Sequence, residues 1–146
     1  MFKNILFPTD GSDLSDKATA RVIELAQVHG GRIVAISVIQ PFPIVPLGDS
    51  GMVAPDTGVY ENHMERVAQQ NVNKVAAAAS AANIPFEGLV SLAPSPYQEI
   101  VATAEKYGCD AIVMASHGRS GLNRLFLGSE TQKVLAHTHL PVLVLR

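Results

Sequence analysis

The sequence has no tryptophan, one cysteine and only 5% aromatic residues in 146. Each scarcity excludes something. A single thiol, Cys109, forms no disulfide within the chain and builds no cysteine-based zinc site. With so few rings, the core has to be aliphatic. Charge of one sign is also missing: the net charge is −2 and the pI is near 6.2. That leaves no basic face for nucleic acid and no Lys/Arg block for anionic lipid. No apolar run approaches the ~20 residues of a membrane span. The stretch from Met1 runs into a short apolar segment ended by Pro8, without a signal-peptide core. The expectation is a soluble, cytoplasmic protein. Charged residues make up 16% against 47% hydrophobic, which excludes a disordered chain and allows one well-filled domain over residues 1–146.

What is present alternates between two periods. Lys3 to Phe7 is a short apolar run stopped by Pro8, the pattern of a buried strand. Thr9-Asp10-Gly11-Ser12 is a turn, with Ser12 placed to cap a helix whose inner face carries Leu14, Ala18, Val22 and Leu25. Gly30-Gly31 ends that helix. Ile33 to Ile39 reads as the second buried strand. Pro41 to Gly58 is rich in proline and glycine and reads as an irregular loop. The spacing predicts a helix from Val59 to Ala82, with Tyr60, Met64, Val67, Asn71, Val75, Ala78 and Ala82 inward, closed by Asn83. Phe86 to Leu92, with Glu87 and Gly88 inside, suggests an edge strand. Ser95-Pro96-Tyr97-Gln98 and Ser129-Glu130-Thr131-Gln132 both look like capping boxes that open helices. Ala111 to Ala115 and Pro141 to Leu145 are the remaining strands. Strands alternating with helices predict a parallel α/β sheet, wound right-handedly.

Open parallel sheets hold their ligands beyond the carboxyl ends of the strands, at the topological switch point. The residues there are Pro8-Thr9-Asp10, then Val38-Ile39, then Ala115 to Gly121, with the last loop returning through Gly128-Ser129 into a helix. Any one of Gly118, Gly121 and Gly128 is explained by a turn. As a set, after a strand and before a helix N-terminus, they suit a phosphate, which backbone amides and the helix dipole would hold. The familiar phosphate motifs fail. Gly11 to Ala18 has the length of a P-loop but carries Asp16 and Ala18 where glycine and Ser/Thr belong, and no G-x-G-x-x-G follows a strand.

The run from Ala115 to Ser129 resembles the signature G-x2-G-x9-G-[S/T] of ATP-binding universal stress proteins. Gly118, the nine-residue spacer, Gly128 and Ser129 match, and Ala115 replaces the first glycine. The opening Ile-Leu-Phe-Pro-Thr-Asp-Gly-Ser, the Pro-rich loop after the second strand and the closing Pro-Val-Leu-Val-Leu extend the resemblance over the whole chain. It implies a Rossmann-like fold, similar to the adenine nucleotide α-hydrolases: five parallel strands in the order 3-2-1-4-5, with helices on both faces. It also implies ATP and Mg²⁺ as ligands. Pro8, Thr9 and Asp10 would line the pocket floor, Asp10 near the ribose or the metal. Val38 would meet adenine through its backbone. Ala115, Ser116, His117, Gly118, Arg119, Ser120 and Gly121 would wrap ribose and phosphates. Gly128 would also belong to the ATP site, and Ser129, Glu130 and Thr131 would offer backbone amides, and hydroxyls where present, to the phosphates. Mg²⁺ would be held mainly by phosphate oxygens and water. Arg119 or Arg124 could neutralise phosphate charge, or lie solvated at the surface. The resemblance further implies a homodimer through the last strand, Val142, Leu143, Val144 and Leu145.

No Ser-His-Asp set or carboxylate pair is evident, so the expectation is a nucleotide-dependent regulatory protein of the stress response, with slow ATP hydrolysis at most. Two other readings stand beside it. A nucleotidyl-transfer or ATP-pyrophosphatase enzyme would need a Ser-Gly-Gly-x-Asp-Ser loop, which Thr9 to Asp13 resembles only loosely. An interaction module without nucleotide rests on Ala115.

Overall fold

The computed structural model describes residues 1–42, 57–117 and 127–146. The expected elements form, in the expected sequence: β1 (Asn4–Pro8), α1 (Asp13–His29), β2 (Arg32–Ile39), α2 (Thr57–Ala81), β3 (Phe86–Leu92), α3 (Pro96–Lys106), β4 (Ala111–Ala115), α4 (Ser129–His137) and β5 (Val142–Leu145). All five strands join one parallel sheet in the order β3-β2-β1-β4-β5. The chain moves outward from β1 to β3, then crosses back over β1 to β4 and β5. The two halves diverge between β1 and β4.

Alternation along the central strands divides the interior in two. Ile5, Phe7, Val113 and Ala115 point to one face, where Ala18, Val22 and Ala26 of α1 and Val75 and Ala79 of α2 cover them. Leu6, Ile112 and Met114 point to the other, under Ile100 and Ala104 of α3 and Val134 of α4. Burying each large aliphatic side chain contributes about 1.5–3 kcal/mol, so these two layers are the main support of the sheet. No helix among the described residues is long and apolar enough to cross a membrane.

Local signals behave unevenly. The Ser12 hydroxyl accepts from Ser15 N at 3.3 Å and caps α1. Gly30 (φ 56) and Asn83 (φ 55) take the left-handed conformation expected after helices. The two capping boxes do not form. Among the described residues no side chain caps α4, whose N-cap is Gly128, with Ser129 already helical. Ser95 is the N-cap of α3 and its carbonyl accepts from Glu99 N at 3.2 Å, but its side chain makes no cap hydrogen bond. A glutamate from α4 does that work instead: Glu130 Oε2 accepts from Tyr97 N at 2.9 Å. The buried face of α2 is also only in part the expected one. Asn71 and Val75 are inside, joined by Ala68, Val72 and Ala79, because small side chains let the helix approach the sheet. Gly88 shows how closely: a β-carbon there would lie 2.4 Å from Val72 Cγ1. β3 is an edge strand as expected, but its glycine answers to α2.

At the amino ends of the strands, β1 is locked to the turn before β4. The Asp110 carboxylate accepts from Lys3 N (2.9 Å) and Asn4 N (3.2 Å). The Asn4 amide donates to Tyr107 O (2.7 Å) and Gly108 O (2.9 Å).

Candidate functional site

At the carboxyl ends the sheet opens. The β1–β4 ladder pairs Ile5 with Ala111 and Leu6 with Ile112, and stops short of both strand ends. On the other side of β1, pairing with β2 ends at Pro8 against Ile36. Thr9 N then donates to Ile36 O at 2.9 Å. β2 continues, with Val38 paired to Ser91 and Ile39 to Leu92 of β3. Ile36 faces its backbone groups towards β1, so Val38, two residues on, faces its own N–H and C=O the same way. There β1 has already ended. Ile39 O accepts from Ala93 N on the opposite side, as the alternation requires. A donor and an acceptor of one residue therefore point into the crevice at the switch point.

The floor of the crevice is the β1–α1 corner. Thr9 is buried, and its hydroxyl lies 2.8 Å from that of Ser15, also buried. Gly11 N reaches Thr9 Oγ1 at 3.4 Å, and Ser12 N donates to Asp10 Oδ1 at 3.0 Å. An aspartate bonding two residues ahead makes a compact turn of this kind. Gly11 sits at φ +70.

The far wall is built where β4 ends. Ala115 is buried in the α1-side core. Among the described residues, the non-glycines with positive φ are Phe2 and Asn83, so Ala115 has ordinary strand geometry and suffers no strain from its methyl group. Ser116 is 1% exposed. Its amide donates to Leu145 O at 2.7 Å, and its carbonyl accepts from Gly128 N at 2.7 Å. That second bond brings the two ends of the glycine-punctuated segment together. Ser116 Oγ and His117 Nδ1 lie 2.8 Å apart. The buried Thr131 hydroxyl donates back to Ala115 O (3.2 Å), tying the first turn of α4 to the end of β4.

The start of α4 thus stands beside the crevice. Its dipole and first amides favour an anion there, and among the described residues no side chain caps them. Ser129 is exposed and Glu130 half-buried. Glu130 would set a negative charge in this first turn, but its carboxylate is directed to α3: Oε2 to Tyr97 N, and Oε1 to Lys133 Nζ at 2.9 Å. The hydrogen bond and charge of Glu130 raise the Lys133 pKa.

The structure therefore gathers Pro8, Thr9, Asp10, Val38, Ala115, Ser116, His117, Gly128, Ser129, Glu130 and Thr131 around one end of the sheet. Gly118, Arg119, Ser120, Gly121 and Arg124 lie outside the described residues, as does the span 43–56 of the Pro41–Gly58 loop. Among the described residues, no three of His, Cys, Asp and Glu converge as metal ligands. Sequence reasoning assigned Asn71 only to an inner helix face, yet it packs directly on Gly11. Helical periodicity signalled its burial, and nothing local signalled the contact.

The fold is that of a doubly wound α/β protein, a class whose members hold small ligands at the carboxyl ends of their strands. Within that class the chain belongs to the universal stress protein family, which matches residues 1–146. A universal stress protein of Methanocaldococcus jannaschii is 34% identical over 149 residues, covering all of this chain and 83% of the relative. One from Thermus aquaticus is 33% identical over 146 residues, the full length of both. Solved structures share the fold. The protein MJ0577 superposes with a TM-score of 0.83 at 24% identity, over 99% of this chain and 96% of the other. A universal stress protein from Archaeoglobus fulgidus, solved in complex with dAMP, superposes at 0.62 and 17% identity over all of both chains. Another, in complex with cAMP, does so at 0.65 and 19% over 99% and 97%.

Proposed function

We propose that this chain is an ATP-binding universal stress protein, a cytoplasmic regulator whose nucleotide occupancy controls its interactions. One observation carries the reading. The Val38 backbone turns a donor and an acceptor into the same crevice that the start of α4 faces, an end without a side-chain cap among the described residues. A paired donor and acceptor suit the amino-pyrimidine edge of adenine. A helix N-terminus suits phosphate. Nucleotides carry both groups. The dAMP and cAMP complexes of proteins with this fold support an adenine nucleotide.

In this reading Pro8 and Thr9 form the floor under the ribose. Asp10 accepts from a ribose hydroxyl or meets a phosphate-bound Mg²⁺, a hard cation that one carboxylate suits. Ala115, Ser116 and His117 lead into Gly118, Arg119, Ser120 and Gly121 around the phosphates. Ser129, Glu130 and Thr131 present amides from the other side, while Gly128, whose own amide is given to Ser116 O, leads the chain into them. Because Thr131 Oγ1 donates to Ala115 O, its hydroxyl can serve a phosphate only by giving up that bond. In this reading nucleotide occupancy, rather than turnover, is the output of the crevice. The edge strand β5, with Leu143 38% exposed, pairs with its copy in a second chain.

Thermal unfolding with and without Mg-ATP, with Mg-GTP as control, tests this. Ligand at ~100 times its dissociation constant adds about 2.7 kcal/mol. An upward shift with ATP and none with GTP is expected. No shift at millimolar ATP would replace this reading with that of an interaction module.

A further inference from the structure

The β1–α1 corner turns on Gly11 at φ +70, a conformation that glycine adopts freely. A β-carbon on Gly11 would lie 2.0 Å from Asn71 Oδ1, 2.5 Å from its Cγ and 2.8 Å from its Nδ2. The Asn71 amide therefore fills the volume that any side chain at position 11 would need. Asn71 is 7% exposed. It is the amide on a buried α2 face otherwise made of Ala68, Val72, Val75 and Ala79. One turn along α2, Lys74 Nζ reaches Asp16 Oδ2 at 2.8 Å in the first turns of α1. Burying an amide among apolar groups is unfavourable unless it finds polar contacts. Here it lies against the one corner of β1 that leads into the crevice.

We infer that Asn71 is a positioning residue for nucleotide binding: through its contact with the Gly11 backbone it fixes the Thr9–Ser12 corner and so the direction of Asp10. The inference rests on the reading of the crevice as a nucleotide site. Its physical content is local. The Gly11 α-carbon presents a hydrogen to the amide, a weak C–H···O type of contact. An apolar side chain at 71 would fill the core and make no such contact. The two bonds that shape the corner, Gly11 N to Thr9 Oγ1 and Ser12 N to Asp10 Oδ1, would then lose their support from α2.

The test compares wild type with Asn71→Leu, which keeps the branching and the number of side-chain heavy atoms, and Asn71→Ala. Two quantities are measured: the Mg-ATP dissociation constant by calorimetry, and hydrogen exchange of the Gly11 and Ser12 amides in unligated protein. Roughly tenfold weaker binding and about tenfold faster exchange of those two amides are expected, the scale of one modest contact. Exchange elsewhere in the sheet should stay as in wild type, which a general loss of stability would not allow. In addition, Asn71→Ala should recover part of the affinity lost in Gly11→Ala, since it vacates the space for a methyl group. Wild-type affinity and exchange in both Asn71 variants overturn the inference. If wild type itself gives no heat with Mg-ATP, the nucleotide reading falls. The amide exchange then decides separately whether Asn71 sets the corner, and unchanged exchange refutes it.

Discussion

Restoring the glycine that the family signature carries at position 115 should make this protein less stable and no better at binding nucleotide. The Ala115 methyl group belongs to the core beneath α1 and α2, and its residue is 9% exposed. Removing a buried methyl group costs about 0.8 kcal/mol. Freeing the backbone of a strand residue costs a further 0.5–1 kcal/mol, roughly. The substitution Ala115→Gly should therefore lower stability by about 1–2 kcal/mol, or about 3–6 °C in unfolding temperature for a chain of this length. Affinity is governed differently. Ala115 has no positive φ to relieve, its side chain faces the core, and its carbonyl is held by Thr131 in either case. The Mg-ATP dissociation constant should stay within about twofold, less than 0.5 kcal/mol. Urea denaturation and calorimetry on the same preparation give both numbers. Tenfold tighter binding in the glycine variant would refute the reasoning, because it would show that the methyl group intrudes on the ligand.

Other consequences are open to direct test. Glu130→Ala removes the carboxylate that caps α3 at Tyr97 N, and urea denaturation should show a loss of about 1 kcal/mol, as for other helix caps; an unchanged midpoint would mean that water replaces it fully. Gly88→Ala drives a methyl group to 2.4 Å from Val72 Cγ1 and 3.0 Å from Phe86 Cε1; overpacking of this kind costs about 1–3 kcal/mol, and a neutral result would show that α2 can ride up without loss. Burial pushes the Cys109 thiol from 9.0 up to about 11, with Arg32 pulling down and Asp110 adding to the rise. The folded state then holds this proton more tightly than the unfolded state, so stability falls as pH rises between those two values; the fall should be shallower in Cys109→Ala, and identical pH profiles for the two proteins would exclude the assignment.

Much of this architecture was written in short-range patterns. Most strands are apolar runs bounded by Pro, Gly or Asn, and the longer helices repeat their apolar residues at helical spacing, so periodicity, breakers and helix-start signals together recover the nine elements. The central positions Ile5–Phe7 and Ile112–Met114 are apolar on both faces, as a strand covered on both sides requires. What escaped the pattern was set by contacts between distant segments. Ser95 and Ser129 have the right spacing for capping boxes, yet Glu130 leaves its own helix to cap α3, and no local rule can foresee that. The inner face of α2 was legible in part: Asn71 and Val75 are buried and Ala78 and Ala82 pack on the core as expected, but Ala68, Val72 and Ala79 join them, with Val72 set against Gly88. At the site, Thr9, Ser116 and Gly128 were legible from their places after strands and before a helix. The contact of Asn71 with Gly11 was not, since it joins residues that only the tertiary fold brings together.

The position of β1 in the middle of the sheet bears on how the chain is made. Its partner β2 is close behind it, but its other partner, β4, begins at Ala111. A polypeptide emerging from the ribosome can pair β1, β2 and β3 as soon as Leu92 is free, while the far edge of Asn4–Pro8 stays uncovered. That edge is the apolar stretch Ile5-Leu6-Phe7, fully buried in the finished protein, and such edges invite pairing with other chains. The Asp110 carboxylate, which grips Lys3 and Asn4, arrives one residue before β4. It can hold the two segments together at the moment when the exposed interval ends.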